Sequence, residues 1–411
     1  MLIEFRVENH RSIRDEQVLT MEAGRVGDAE DPRPRKVPGH SQALLPAAAL
    51  YGANASGKSN VLSALSFMRD AVLESHRRWG PEGGVPRDPF AWGPRASEPS
   101  FYEATILVDG VRYEYGFVAD GQRFLEEWLH AWPSGHKQTW FERDADEFKF
   151  GANLRGENRT VQLVTRPNAL FLAAAVQLRH EQLAPVYRWF YGCSILLPRS
   201  RHRVNETRLA RIVEESVESS SSRYALDRIR ELLGAADVGI VDLRLVDVGL
   251  EDPPGVHWKR LQLRHRGHDE EAWLALEQES DGTRALLSLT PRLFDVLDRG
   301  GLVAIDELEA SLHPLLARRI VDQFNDPVRN PRNGQILFTT HDTNLIGTVA
   351  GASALRRDQI WLTEKDAEGA TSLYPLTDYK PRASENLERG YLQGRYGAIP
   401  FLGELARVEG Q

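Results

Sequence analysis

The chain predicts an α/β fold, built on a mostly parallel sheet with an antiparallel β subdomain and a short helical insertion. Three observations carry this. An apolar strand-like run from Leu44 to Tyr51 leads into Gly52-Ala53-Asn54-Ala55-Ser56-Gly57-Lys58-Ser59, which opens an amphipathic run containing Val61, Leu62, Leu65, Phe67, Met68 and Val72. A second apolar run, Gly300 to Ile305, ends on two carboxylates, Asp306 and Glu307, in the manner of a central strand covered on both faces. Between them, Tyr102, Ala104, Ile106 and Val108 are followed across Asp109-Gly110 by Val111, Tyr113, Tyr115 and Phe117, a hairpin signal.

In chain order, Leu2 to about Met21 and Ala47 to Ala71 read as the first strands and helix of the sheet. A Pro/Gly/Arg-rich loop from Gly24 to Ser41, expected to be mobile, joins them. Phe101 to Phe150 reads as antiparallel hairpins, with a further turn at Asp120-Gly121. From Val161 to about Leu233 the pattern is helical, interrupted by the polar stretch Glu218-Ser219-Ser220-Ser221-Ser222. This divides the chain into an N-terminal lobe (1–160), a helical insertion (161–235) and a C-terminal lobe (236–411). There is no internal repeat and no sustained heptad. Ser59 and Ser280 stand roughly 220 residues apart, room for a compact insertion but not for long coiled-coil arms at about 1.5 Å per helical residue.

The glycine-rich stretch fits the phosphate-binding pattern G-x-x-x-x-G-K-[ST]. A Gly/Ser turn capping a helix has a similar composition, but the strand before and the helix after supply the context the pattern demands. Gly52 and Gly57 let backbone N–H groups of Asn54, Ala55, Ser56 and their neighbours through Asn60 point at phosphate oxygens, and the helix dipole adds to the attraction. Lys58 then meets the β- and γ-phosphates, and the Ser59 hydroxyl meets Mg²⁺. At the second strand end Asp306 holds the metal's shell, while Glu307 orients and deprotonates the attacking water. The chemistry expected is hydrolysis of a nucleoside triphosphate. Downstream, Glu279-Ser280-Asp281-Gly282-Thr283-Arg284 is a small-polar turn opening a helix, a weak signal alone because such turns are common caps.

Composition sets limits on the setting. The 411 residues suffice for two or three domain-sized units with real cores. One cysteine, Cys193, excludes an internal disulfide framework and fits a reducing compartment. The opening Met1-Leu2-Ile3-Glu4-Phe5-Arg6 lacks a signal-peptide core and no apolar run approaches spanning length, so a cytoplasmic protein without a membrane partner is expected. A net charge of −8 argues against a surface dominated by nucleic acid, leaving Arg199-Ser200-Arg201-His202-Arg203 as either a solvated loop or a local contact.

The order of phosphate loop, Ser-x-Gly-Thr turn, Asp-Glu strand end, Ser311-Leu312-His313-Pro314 and Thr339-Thr340-His341 resembles the ABC-type ATPase heads of the SMC, RecF and OLD-like group. The opening Phe5-Arg6-Val7-Glu8-Asn9-His10-Arg11-Ser12-Ile13 and the closing Tyr391-Leu392-Gln393-Gly394-Arg395-Tyr396-Gly397-Ala398-Ile399-Pro400 resemble the stand-alone AAA-type ATPases of bacterial anti-phage and abortive-infection operons. The likeness runs along nearly the whole chain and is weakest from about Phe101 to Leu250.

This resemblance implies an ABC-type head fold. It implies that His341 is the switch histidine sensing the γ-phosphate, and that Arg11 lies near the nucleotide. Ser280, Gly282 and Thr283 would contact the nucleotide held by the opposite subunit of a homodimer, with Ser311 to Pro314 running along the interface. His313 either shapes that loop or does more. The turn departs from the usual Leu-Ser-Gly-Gly, and no Q-loop glutamine can be picked from Gln122, Gln138, Gln162 and Gln177. Two outputs follow from the likeness: a defence sensor licensing a separate effector, a nuclease or other toxin, or a DNA-repair ATPase clamping DNA. The chain's acidity and its two termini favour defence. About 70 residues follow His341, too few for the fused Toprim-type nuclease of OLD-like relatives, and Glu364, Asp366 and Glu368 read as a charged hairpin turn.

Overall fold

The structure is a computed structural model that describes residues 1–27, 30–197, 206–215, 220–235, 239–249, 257–267, 272–310, 312–347, 353–381 and 385–399. The cluster Arg199 to Arg203, Glu218, Ser219, Ser311 and Pro400 lie outside the described residues. The chain divides into two compact units, a larger one of Leu2–Tyr191 with Thr339–Gln411, and a smaller one of Gly192–Phe338 with Met1.

The larger unit begins with β1 (Leu2–Glu8), β2 (Gln17–Thr20), β3 (Ala47–Gly52) and α1 (Lys58–Glu74). Next come β4 (Ser100–Val108), β5 (Val111–Ala119), β6 (Phe124–Trp132), β7 (Gln138–Asp144) and β8 (Glu147–Phe150), then α2 (Asn158–Val164), α3 (Phe171–Gln177) and α4 (Ala184–Gly192). Seven of these strands form an antiparallel sheet in the order β2-β1-β4-β5-β6-β7-β8. Its hairpins turn where Gly and Asp allow: Val108 faces Val111 across Asp109-Gly110, both at positive φ as a tight hairpin turn needs. Alternation then sends Tyr102, Tyr115 and Phe117 to one buried face, where Phe67 of α1 meets Tyr102 at 4.9 Å between ring centroids. Helix α1 buries Val61, Leu62, Leu65, Met68 and Val72 at the spacing the sequence predicts.

In the smaller unit β9 (Ser194–Leu196) is followed by α5 (Glu206–Glu215) and α6 (Ser220–Ala235). A three-stranded antiparallel sheet of β10 (Ile240–Gly249), β11 (His257–His265) and β12 (Trp273–Ala275) precedes α7 (Asp281–Arg299), β13 (Leu302–Ile305), α8 (Pro314–Asn325) and β14 (Gln335–Thr339). All four residues of β13 are buried, and β13 pairs in parallel with both β9 and β14. The chain returns to the larger unit with β15 (Ile360–Lys365), β16 (Thr371–Pro375) and α9 (Leu387–Leu392), where β15 runs parallel to β3 and antiparallel to β16. The fold is α/β, with an antiparallel β subdomain beside strands paired in parallel.

Two expectations change. β9 lies inside the stretch read as helical: three residues carry no periodicity, and pairing with β13 decides their conformation. The connection read as mobile is fastened at its described residues. Asp31 pairs with Arg356 at 3.1 Å and with Arg33 at 2.7 Å, and the N–H of Gly24 donates to Asp358 at 2.9 Å.

Candidate functional site

Strand β3 delivers the glycine-rich loop at its carboxyl end, where α1 starts. Gly57, at φ 107°, is the N-cap of α1, and a Cβ there would strike the side chain of Thr371. The position therefore admits only glycine. Among the described residues the N–H groups of Asn54, Ala55 and Gly57 find no acceptor, while that of Ser56 donates to Ala53 at 3.2 Å. Ala55 itself sits at φ 63°, the left-handed step that turns consecutive N–H groups toward one point. Lys58 is buried, with its ammonium donating to the carbonyls of Gly52 and Ala53 at 2.9 Å each. A concave set of open N–H donors with a lysine across its mouth fits a polyphosphate.

The loop is braced from behind. Ser56 bonds Thr363 at 2.6 Å, Thr363 donates to the carbonyl of Tyr51 at 3.2 Å, and Thr371 donates to the carbonyl of Ser56 at 2.9 Å. Thr371 also bonds Ser12 at 2.7 Å, and Ser12 accepts from Asn60 at 2.6 Å. Thus Asn60 faces the N-terminal segment, and Ser59 at the head of α1 is half-buried. In that segment Arg11 adopts φ 50° and pairs with Asp88 at 2.7 Å, half-exposed. His10 is buried between Tyr102 at 2.9 Å and Ser63 at 3.2 Å, and desolvation lowers its pKa to about 3. Asn9 donates to three carbonyls, of Arg95, Glu98 and Pro99.

His341 is exposed just beyond β14, and its neighbours fix its backbone against β3: Thr340 donates to Leu50 at 3.1 Å and Tyr51 donates to Asp342 at 2.9 Å. Tyr391 of α9 packs edge-on against Tyr51 at 5.6 Å, and burial pushes its phenol up to about 12. The closing segment is thereby a support for the strand that carries the loop.

In the smaller unit Asp306 is buried at the end of β13, its N–H donating to Leu196 at 3.0 Å, and Glu307 is exposed. Glu307 adopts φ 53°, a conformation costing a residue with a Cβ about 1 kcal/mol. Ser280 caps α7, its hydroxyl accepting from Thr283 N–H at 3.2 Å and bonding the Thr283 hydroxyl at 2.9 Å. Ser280 is exposed, Gly282 half-buried and Thr283 buried, so only the first two present a surface. His313 caps α8, its Nδ1 accepting from Leu315 at 3.2 Å.

The family model described as "AAA domain, putative AbiEii toxin, Type IV TA system" matches residues 47–347. The chain belongs to this AAA family. No curated protein matches it. Solved structures similar to the chain include the Smc head bound to the C-winged helix domain of ScpA, at 14% identity, covering 95% of this chain and 99% of that one, with a TM-score of 0.47. Another is the Smc head domain with an extended coiled coil bound to the C-terminal domain of ScpA, from Pyrococcus furiosus, at 12% identity, 96% and 98% coverage and a TM-score of 0.42.

What sequence reasoning missed in the AAA domain is its hydroxyl brace. Thr363 and Thr371 carry no motif and only the pairing of β3, β15 and β16 brings them behind the loop, while Ser12, in the opening stretch, joins the brace through its bonds to Thr371 and Asn60. The carboxylates of the C-terminal hairpin are occupied. Glu364 accepts from Ala398 N–H at 2.6 Å, Asp366 accepts from Ala370 N–H at 2.7 Å within its own turn, and Glu368 pairs with Arg14. Among the described residues no group of three His, Cys, Asp or Glu side chains is arranged to hold a metal, and no helix is long and apolar enough to cross a membrane.

Proposed function

We propose that the chain is an ATP-binding and hydrolysing nucleotide switch, acting as a homodimer and serving as the sensor or regulator of an anti-phage defence system whose effector is a separate protein. The observation that carries the reading is the loop Gly52–Ser59, with open N–H groups at Asn54, Ala55 and Gly57 and the buried ammonium of Lys58 resting on its carbonyls. On binding, Lys58 exchanges those neutral acceptors for charged phosphate oxygens, a stronger class of hydrogen bond. Mg²⁺, for which Ser59 and Asp306 are the proposed ligands, supplies charge neutralisation at the phosphates.

In this reading Glu307 takes a proton from the attacking water, and His341 senses the γ-phosphate through an exposed imidazole on a fixed backbone. Arg11 lies near the nucleotide, while Ser280 and Gly282 at the head of α7 complete the site of the neighbouring chain, with buried Thr283 holding the Ser280 hydroxyl from behind. Nucleotide occupancy then sets dimer closure, and closure is the signal. Cytoplasmic action is part of this proposal. The family's description, which names a putative toxin of a TA system, supports an output in a toxin-linked pair.

The test is a pair of substitutions. Glu307→Gln keeps ATP affinity and lowers turnover by about 10² or more, as expected for loss of a general base; Lys58→Ala loses nucleotide binding. Unchanged phosphate release from Glu307→Gln would remove Glu307 from the mechanism.

A further inference from the structure

The smaller unit holds a cavity of about 460 Å³ whose chemistry differs from the rest of this acidic chain. Its walls come from α6, α7, α8 and the segment after α8, and four arginines face it: Arg228, Arg319, Arg329 and Arg332. Two carboxylates, Glu231 and Asp298, face it with them. The guanidinium of Arg228 lies 3.9 Å from the ring centroid of Phe294 and 5.5 Å from that of Tyr224, and Asp298 holds it at 2.6 Å. Phe294 is buried, but Tyr224 is 60% exposed. The result is a layered stack, fixed at its base by packing and an ion pair, that ends in a tyrosine in water.

The remaining arginines are available to a ligand. Arg332 is exposed and has no side-chain partner among the described residues. Arg319, half-exposed, reaches the largely exposed Glu231 only at 3.9 Å, and Arg329 pairs with Asp326 at 3.4 Å. Such exposed pairs contribute about 0–1 kcal/mol, so a phosphate replaces them at little cost. Arginine is also the side chain best shaped for phosphate, through two parallel N–H donors.

We propose that this cavity binds a nucleoside phosphate. The base stacks on Tyr224, with the amide of Gln323 at its edge, and the phosphates meet Arg319, Arg329 and Arg332. The volume lies in the range of small-ligand sites. An acidic peptide satisfies the arginines equally but leaves the stacking platform of Tyr224 without a use. The nucleoside phosphate could arrive as a free nucleotide or as one unit of a single strand, since aromatic stacking beside basic side chains serves both.

The experiment uses the full chain carrying Lys58→Ala, so that the phosphate loop contributes least. It is titrated with a fluorescent ADP analogue and with a fluorescein-labelled oligo-dT, alone and with Tyr224→Ala or Arg332→Ala added. Both added substitutions are at exposed positions and leave the core intact. At least one probe should bind one per chain, and each added substitution should weaken it by about tenfold, the scale of a lost base stack or charged contact. Saturation by the ADP analogue alone identifies free nucleotide as the source. Oligonucleotide binding that falls steeply with salt identifies a strand. Binding of neither probe, binding indifferent to Tyr224→Ala and Arg332→Ala, or preference for poly-glutamate over both probes overturns the proposal.

Discussion

The side chain of Thr371 donates its hydroxyl proton to the carbonyl oxygen of Ser56 at 2.9 Å, so a hairpin near the C-terminal end of the fold holds the glycine-rich loop from behind. Because Ser56 also bonds Thr363, two consecutive strands of that hairpin, β15 and β16, grip one residue of the loop.

Thr371 is buried, and valine matches its shape without the hydroxyl. Thr371→Val leaves the Ser56 carbonyl and the Ser12 hydroxyl each short of a partner, a penalty of about 1–3 kcal/mol. Nucleotide affinity should fall about tenfold while the thermal midpoint moves only a few degrees. Titration calorimetry checks this, and unaltered affinity would mean that the loop keeps its shape without the brace.

Since Ser280 caps α7 at an exposed helix start, its proposed role in a neighbour's site can be examined by mixing subunits. A Lys58→Ala chain and a Ser280→Ala chain should each be nearly inactive. Heterodimers between them contain one intact and one doubly defective site, so the mixture should regain part of the ATPase rate. Mixtures that exchange subunits and stay inactive argue for sites made within single chains.

The purified chain should hydrolyse ATP and leave DNA and RNA intact with Mg²⁺ or Mn²⁺, because Glu364 is occupied by the N–H of Ala398 and Asp366 by that of Ala370. Gel assays decide it. Cutting by clean protein that disappears in Glu364→Ala with Asp366→Ala, while ATPase activity persists, would place a nuclease in the hairpin.

His10 gives the fold an acid sensitivity. Its pKa drops from the usual 6.5 to about 3 because burial disfavours the cation, helped by nearby Arg11. The unfolded chain therefore takes up this proton first, and the stability that neutral His10 contributes is complete above pH 6.5 and is lost as pH falls toward 3. Between pH 6.5 and 5 the loss is about 2 kcal/mol. Urea titrations at both pH values should show it, and His10→Gln should flatten the dependence by that amount. An equal slope in the variant would assign the acid sensitivity to other groups.

Much of this was readable because the motifs are local. Gly57 and Lys58 need only their neighbours to specify a loop, and Asp109-Gly110 needs only the flanking alternation to specify a turn. Ser280 announced a cap through its own sequence. What stayed hidden depends on partners far along the chain. Thr363 and Thr371 look like ordinary strand residues until β15 pairs with β3, and Ser194–Leu196 becomes a strand only by lying beside β13. Asp31 gives no sign in sequence that Arg356 will fasten it. Periodicity cannot report a contact whose two halves are hundreds of residues apart.

That separation has a consequence for the newly made protein. Ser56 and Thr371 are 315 positions apart, so at 5–20 residues per second a nascent chain waits roughly 15 s to 1 min between emergence of the loop and arrival of its support. During that interval the loop lacks the residues that shape it, and tight nucleotide capture belongs to chains translated past Thr371. A ribosome stalled between the codons for His341 and Thr371 thus holds a fragment with every upstream motif and a loop that lacks its brace. Translation itself becomes the checkpoint on when the switch can first be thrown.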